Sequence, residues 1–72
     1  MRVGHLRENS YGRYALEDGY YWTCGDSMEI YVDDEEIWLE GRVEADSSGR
    51  YYFTDDDCVI YLHNGLLVRV EG

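Results

Sequence analysis

Apolar and polar residues alternate with a period of two along most of this chain, the spacing of strands with one buried and one solvated face. Met28, Ile30 and Val32 fall on one side and Glu29 and Tyr31 on the other. The next run repeats the pattern, with Ile37, Leu39 and Val43 opposite Trp38, Glu40, Arg42 and Glu44. Shorter runs rich in aromatic and β-branched residues, at 2–6, 12–16, 20–23, 50–54, 59–62 and 66–71, predict further strands. No segment carries the i, i+3, i+4, i+7 apolar spacing of an amphipathic helix, and only Asp55 to Asp57 suggest one irregular or helical turn.

The separators have turn chemistry: Glu17-Asp18-Gly19, Asp46-Ser47-Ser48-Gly49 and His63-Asn64-Gly65. Asn-Gly is the strongest short hairpin signal, because both residues accept positive φ. Successive strands are therefore expected to pair as antiparallel neighbours, giving an all-β meander of six to seven short strands. With an apolar face and no helix to cover it, such a sheet must curl into a small barrel or a two-layer sandwich. The predicted interior is Leu6, Tyr14, Leu16, Met28, Ile30, Val32, Leu39, Val43, Phe53, Ile60, Leu62, Val68 and Val70.

Length makes this a single domain, 1–72, near the lower limit for one hydrophobic core. At 44% hydrophobic and 15% aromatic residues it is far too rich in bulky apolar material for a disordered acidic tail. Cys24 and Cys58 are too few for a zinc site and too far apart for a Cys-x-x-Cys motif. They read as small buried hydrophobes, with a disulfide as the alternative. No long apolar run suggests a signal peptide or a membrane span, and the expected location is the bacterial cytoplasm.

Charge narrows the range of partners. Sixteen Asp and Glu stand against six basic residues, all of them Arg, for a formal charge of −10. Solubility of a small domain needs a magnitude of only about 2 to 8. Such a surface repels DNA, RNA and anionic membranes and favours a basic protein surface. In a meander every second turn lies at the same end of the sheet, so Asp33-Asp34-Glu35-Glu36 and Asp55-Asp56-Asp57 should share a pole. Glu17 and Asp18 join them if 20–23 is a separate strand, bringing nine acids together, with Glu40 and Glu44 running away along an outer strand face. Acids two residues apart on a strand face lie about 6.6 Å apart, against one phosphate per about 3.4 Å of a DNA strand. An acidic ridge of this kind can stand in for a row of phosphates, offering carboxylates to Arg and Lys.

Other chemistry finds no support in the sequence. Neither Asp run has the alternating layout of an EF-hand loop, and neither His5 nor His63 stands near a nucleophile motif. No enzyme activity, metal site or cofactor is expected. Arg13, Arg42, Arg50 and Arg69 are predicted to pair with acids such as Glu29, Glu44 and Glu71. The triplets Tyr20-Tyr21-Trp22 and Tyr51-Tyr52-Phe53 must each expose a large ring, and Tyr21 and Trp38 are the aromatic candidates for partner binding.

The segments Gly12-Arg13-Tyr14, Asp18-Gly19-Tyr20-Tyr21, Cys24-Gly25-Asp26, 38–44 and 65–70 resemble a family of small bacterial domains of unknown function often carried on mobile elements. That resemblance implies a bacterial or phage setting, where small acidic proteins are often inhibitors of host defence, including anti-CRISPR proteins and DNA mimics. The resulting expectation is a non-enzymatic inhibitor that blocks the DNA-binding groove of a CRISPR effector or another defence complex, acting as a monomer or weak homodimer. The alternative is a generic protein-interaction module, antitoxin-like or adaptor-like, that binds through exposed Tyr and Trp.

Overall fold

The computed structural model describes residues 1–71, and within them the chain is all-β and antiparallel. The strands are β1 (Arg2–His5), β2 (Arg7–Glu8), β3 (Tyr14–Ala15), β4 (Ser27–Val32), β5 (Ile37–Ala45), β6 (Tyr51–Thr54), β7 (Val59–Tyr61) and β8 (Leu67–Val70). Six of them form one sheet in the order β1-β8-β4-β5-β6-β7, while β2 and β3 pair separately. The alternation read from sequence is realised in β4, where Met28 and Ile30 are buried and Glu29 and Tyr31 are less so.

From β4 to β7 the chain is the expected meander. The pattern breaks at His63-Asn64-Gly65, which reverses the chain without forming a hairpin. There β8 pairs with β1 and β4, and not with β7. The N-terminal strand captures this turn. The Leu6 amide donates to the Leu66 carbonyl at 2.8 Å, the Gly65 amide to the Leu6 carbonyl at 2.8 Å, and the Glu8 amide to Asn64 Oδ1 at 2.8 Å. Asn-Gly supplied the backbone freedom, but non-local pairing decided the partner.

This order forces the sheet to coil. Four inter-strand steps separate β7 from β8, about 19 Å across a flat sheet. The connection runs only from Tyr61 to Leu67 and reaches about 21 Å when fully extended. It also contains a reversal, with the Leu66 amide on the His63 carbonyl, so the two ends of the sheet must approach each other. The barrel nonetheless stays open, because β1 and β7 are edges that do not pair.

The small β2–β3 sheet, extended by a bridge between Ala15 and Tyr21, leads into residues that complete the interior. Leu6, Leu16 and Trp22 join Met28, Ile30, Val43, Phe53, Leu62, Val68 and Val70 in one core. Tyr14, Leu39 and Ile60 pack against it from partly buried positions, while Val32 lies at its margin. Trp22, absent from the predicted interior, is 1% exposed, with its indole N–H donating to the Ser27 carbonyl at 2.8 Å. Residues 20–23 form no regular strand, so period-two reasoning had no face to assign them.

Gly41 sits in the middle of β5, on the core side between Leu39 and Val43. A β-carbon there would lie 2.6 Å from the Phe53 ring and collide with the Thr54 carbonyl. The missing side chain lets β6 approach and admits the Phe53 ring. Gly41→Ala is expected to lower stability by about 2 kcal/mol or more, because backbone cannot move aside as a flexible side chain can. Urea unfolding of the two proteins checks this, and a loss below about 0.5 kcal/mol would show that the close approach is dispensable.

Candidate functional site

β5 pairs with β4 from Ile37 to Arg42 and with β6 from Arg42 to Ala45. The β4–β5 hairpin therefore runs past the end of β6 by the rise from Arg42 to Ile37, about 17 Å. Its tip is Asp33-Asp34-Glu35-Glu36, while Asp55-Asp56-Asp57 lies back beside Arg42. The two runs leave the sheet in the same direction but do not meet at one pole. The sequence reading placed them together because it assumed strands of matched length.

This hairpin arm, which overhangs β6 and is flanked by β8 on its other side, is braced on its outer face. Tyr31 and Trp38 are cross-strand partners with ring centroids 5.2 Å apart, and the Arg69 guanidinium lies 4.2 Å from the Trp38 centroid. Arg69 also donates through Nε and Nη2 to Glu29 Oε1, at 3.1 and 2.9 Å, from the neighbouring strand. Trp38 is thus half-buried and occupied, a brace more than an open contact residue. Ile37, expected on the core face, is 41% exposed because it lies beyond the core.

The candidate acids fall into two groups. Some serve the fold. Asp55 Oδ1 accepts the backbone amides of Cys58 and Asp57, which hold its carboxyl below the usual carboxylate range. Asp56 accepts from Arg42 Nη2 at 2.8 Å and is likewise lowered, while Glu44 accepts from Arg42 Nε at 2.9 Å. Asp18 accepts the Tyr20 amide at 2.9 Å and forms an ion pair with Arg2 at 3.3 Å. The second group has no side-chain partner among the described residues: Asp33, Asp34, Glu35, Glu36, Glu40, Glu17 and Asp57, all exposed. Four of these stand together at the tip of the arm.

The backbone of the acidic turns is unusual. Among the described residues seven have positive φ, and five of these are glycines in other turns. The two exceptions are Glu36, at φ 55°, and Asp56, at φ 78°. Asp tolerates this region and is anchored by Arg42, but Glu36 has neither advantage.

Several other expectations change. Arg69 does pair across strands with Glu29, and Arg42 pairs with Glu44 on its own strand, but Arg13 and Arg50 lie over Tyr21 and Tyr61 instead. Cys24 and Cys58 are free and exposed, because each sits in a connection just before a strand and not on a core face. Desolvation and the neighbouring Asp55 push the Cys58 thiol up, which disfavours a reactive thiolate. Tyr21 is 52% exposed, as a contact residue needs to be. The more exposed Tyr11, at 83%, escaped the sequence reading because it falls between the predicted strands 2–6 and 12–16 and outside the aromatic triplets. No group of three or more His, Cys, Asp or Glu among the described residues could hold a metal ion.

The family model described as a domain of unknown function, DUF5348, matches residues 4–70. No curated protein and no solved structure matches the chain.

Two outcomes follow from these turns. Asp46 accepts the Ser48 hydroxyl, the amides of Arg50 and Ser48, and the Tyr61 hydroxyl, and these bonds lower it to about 2. A depressed carboxyl stabilises the fold above its unfolded-state value and loses that contribution as pH falls through the folded value. Stability measured by thermal unfolding should fall between about pH 4 and pH 2, and Asp46→Ala should flatten the fall, whereas an unchanged slope would remove Asp46 as a cause. Glu36→Gly should raise stability by about 0.5–1 kcal/mol, while the charge-matched control Glu35→Gly should not. Equal effects in denaturant titrations would mean that charge, and not backbone strain, governs the turn.

Proposed function

We propose that this chain, which belongs to the DUF5348 family, is a non-enzymatic inhibitor that inserts its β4–β5 turn where a basic protein binds nucleic acid. The observation that carries this reading is the tip of the arm, with four adjacent exposed carboxylates that have no side-chain partner among the described residues. Solubility alone would not require them, given a net charge of −10. Nor would it favour Glu36 in a conformation for which every other turn but one uses glycine or stays out of the left-handed region. Strain kept at an exposed charged tip supports a role in binding.

The arm suits the task mechanically. Tyr31, Trp38, Arg69 and Glu29 fix its outer face before any encounter, so little conformational freedom is lost on docking. Arg and Lys that line a phosphate-binding groove gain charge-assisted hydrogen bonds to Asp33, Asp34, Glu35 and Glu36 as they would to phosphates. Glu40, on the outer face of β5, extends the negative surface back from the tip. Glu44, Asp55 and Asp56 add less, because Arg42 or backbone amides already engage them. The resemblance to domains carried on mobile elements makes a bacterial defence complex the proposed partner, with a CRISPR effector first among them. A second reading, a protein-interaction module that binds through aromatic rings, is favoured by the exposure of Tyr21.

The test is inhibition of DNA binding by a panel of purified CRISPR effectors, with wild type compared with a variant carrying Asp33→Lys, Asp34→Lys, Glu35→Lys and Glu36→Lys. The wild type should block DNA binding by at least one effector at low salt. The reversed variant should retain its fold and lose at least about a hundredfold in potency, since close charge pairs at such interfaces are worth several kcal/mol. Equal inhibition by both proteins, or none by either, would overturn the proposal.

A further inference from the structure

The segments beside the β2–β3 sheet carry a surface of the opposite character. Asn9, Tyr11, Arg13, Gly19 and Tyr21 line a shallow depression of about 420 Å³ that contains no acid. Three other depressions each include at least one: Glu29, Glu40 and Glu71 in the first, Glu17 and Asp18 in the second, and Glu8 in the third. A neutral-to-basic hollow is unexpected on a chain with sixteen acids and six arginines.

Arg13 is its only cation. Arg2, Arg42 and Arg69 each hold a carboxylate, but Arg13 holds none among the described residues. Its Nε is buried without a hydrogen-bond partner, so its present position leaves a donor unsatisfied. Its guanidinium lies 5.9 Å from the Tyr21 ring centroid, near the outer limit of about 6 Å for a cation–π pair. An arginine with no ion pair to break, whose current site leaves Nε unpaired, gains by turning outward to an anion.

The flanking residues say which anion. Tyr11 and Tyr21 are among the most exposed large side chains, at 83% and 52%, and Asn9 holds the loop beneath them by accepting the Tyr11 and Arg13 amides. Tyr and Arg around a hollow are the residue types that dominate protein–protein hot spots. A nucleic-acid strand fits poorly, because it needs a track of cations and would meet a net charge of −10. A single carboxylate between apolar side chains needs one guanidinium and two rings.

We infer that Arg13, flanked by Tyr11 and Tyr21, docks an acidic side chain carried on an apolar segment of a partner protein. This contact is independent of the acidic arm and opposite to it in charge.

Nitrogen-edited NMR of the full chain at low salt tests it, with a capped Leu-Glu-Leu tripeptide as the probe. Capped Leu-Gln-Leu and uridine monophosphate are the comparison ligands. The acidic peptide should give saturable shifts at the amides of Tyr11, Arg13 and Tyr21 and at the Arg13 Nε–H. Binding of the Gln peptide, and binding of the acidic peptide to Arg13→Gln, should each be weaker by roughly tenfold, the loss of one charge-assisted hydrogen bond. Tyr11→Ala, at a position too exposed to matter for folding, should also weaken binding. Unsaturable shifts, equal binding of the Gln peptide, an undiminished Tyr11→Ala, or tighter binding of uridine monophosphate would each overturn the inference.

Discussion

A strand that pairs with one neighbour over its first part and with another over its second has to hand over between them, and β5 does so beside Gly41. The Phe53 ring and the Thr54 carbonyl take the space a side chain would fill, bringing β6 against the lower part of β5 only. That handover sets how far the β4–β5 hairpin runs past the end of β6, while β8 still flanks it on the β4 side. It also sets the offset between the two acidic turns, since one lies at the hairpin tip and the other at the end of β6. The position of the hairpin tip is thus a consequence of core packing several residues away from its four acids.

The distribution of charge has the same origin. Near the handover, Asp55, Asp56 and Glu44 meet Arg42 or the amides of a tight turn and become part of the fold. Acids at the tip have no such neighbours. Repulsion among four adjacent carboxylates opposes compaction, yet here it acts on an arm already stiffened by Trp38, Tyr31 and Arg69. The molecule therefore separates the acids that hold it together from the acids available to a partner. Beside the β2–β3 sheet, Arg13 is the converse case, one of three arginines, with Arg7 and Arg50, that hold no carboxylate among the described residues.

Much of this was legible in the sequence. The strands β4 and β5 followed from period-two alternation, β6 and β7 from short runs rich in aromatic and β-branched residues, and the solvated turns from their Gly, Asp and Ser. Nine of the thirteen predicted interior residues are buried, and Val32 among the rest marks where the arm leaves the core. Three things were not legible, each for a physical reason. The pairing of β8 with β1 depends on contacts between chain ends that no local pattern encodes. The burial of Trp22 depends on an irregular segment folding under the coiled sheet. The offset of the acidic turns depends on strand length, which the alternation in Ile37 to Ala45 did not divide between two partners. Which acids were free could be read only once Arg42 had chosen Asp56 and Glu44.

The central claim is that the acidic arm occupies the place of nucleic acid on its partner. An equilibrium competition titration measures this most directly, with labelled duplex DNA and this chain added together to one purified effector over a range of salt. Mutually exclusive binding, with the affinity of the chain falling linearly in log salt, is the predicted result. A ternary complex of effector, DNA and this chain, or an affinity indifferent to salt, would contradict it.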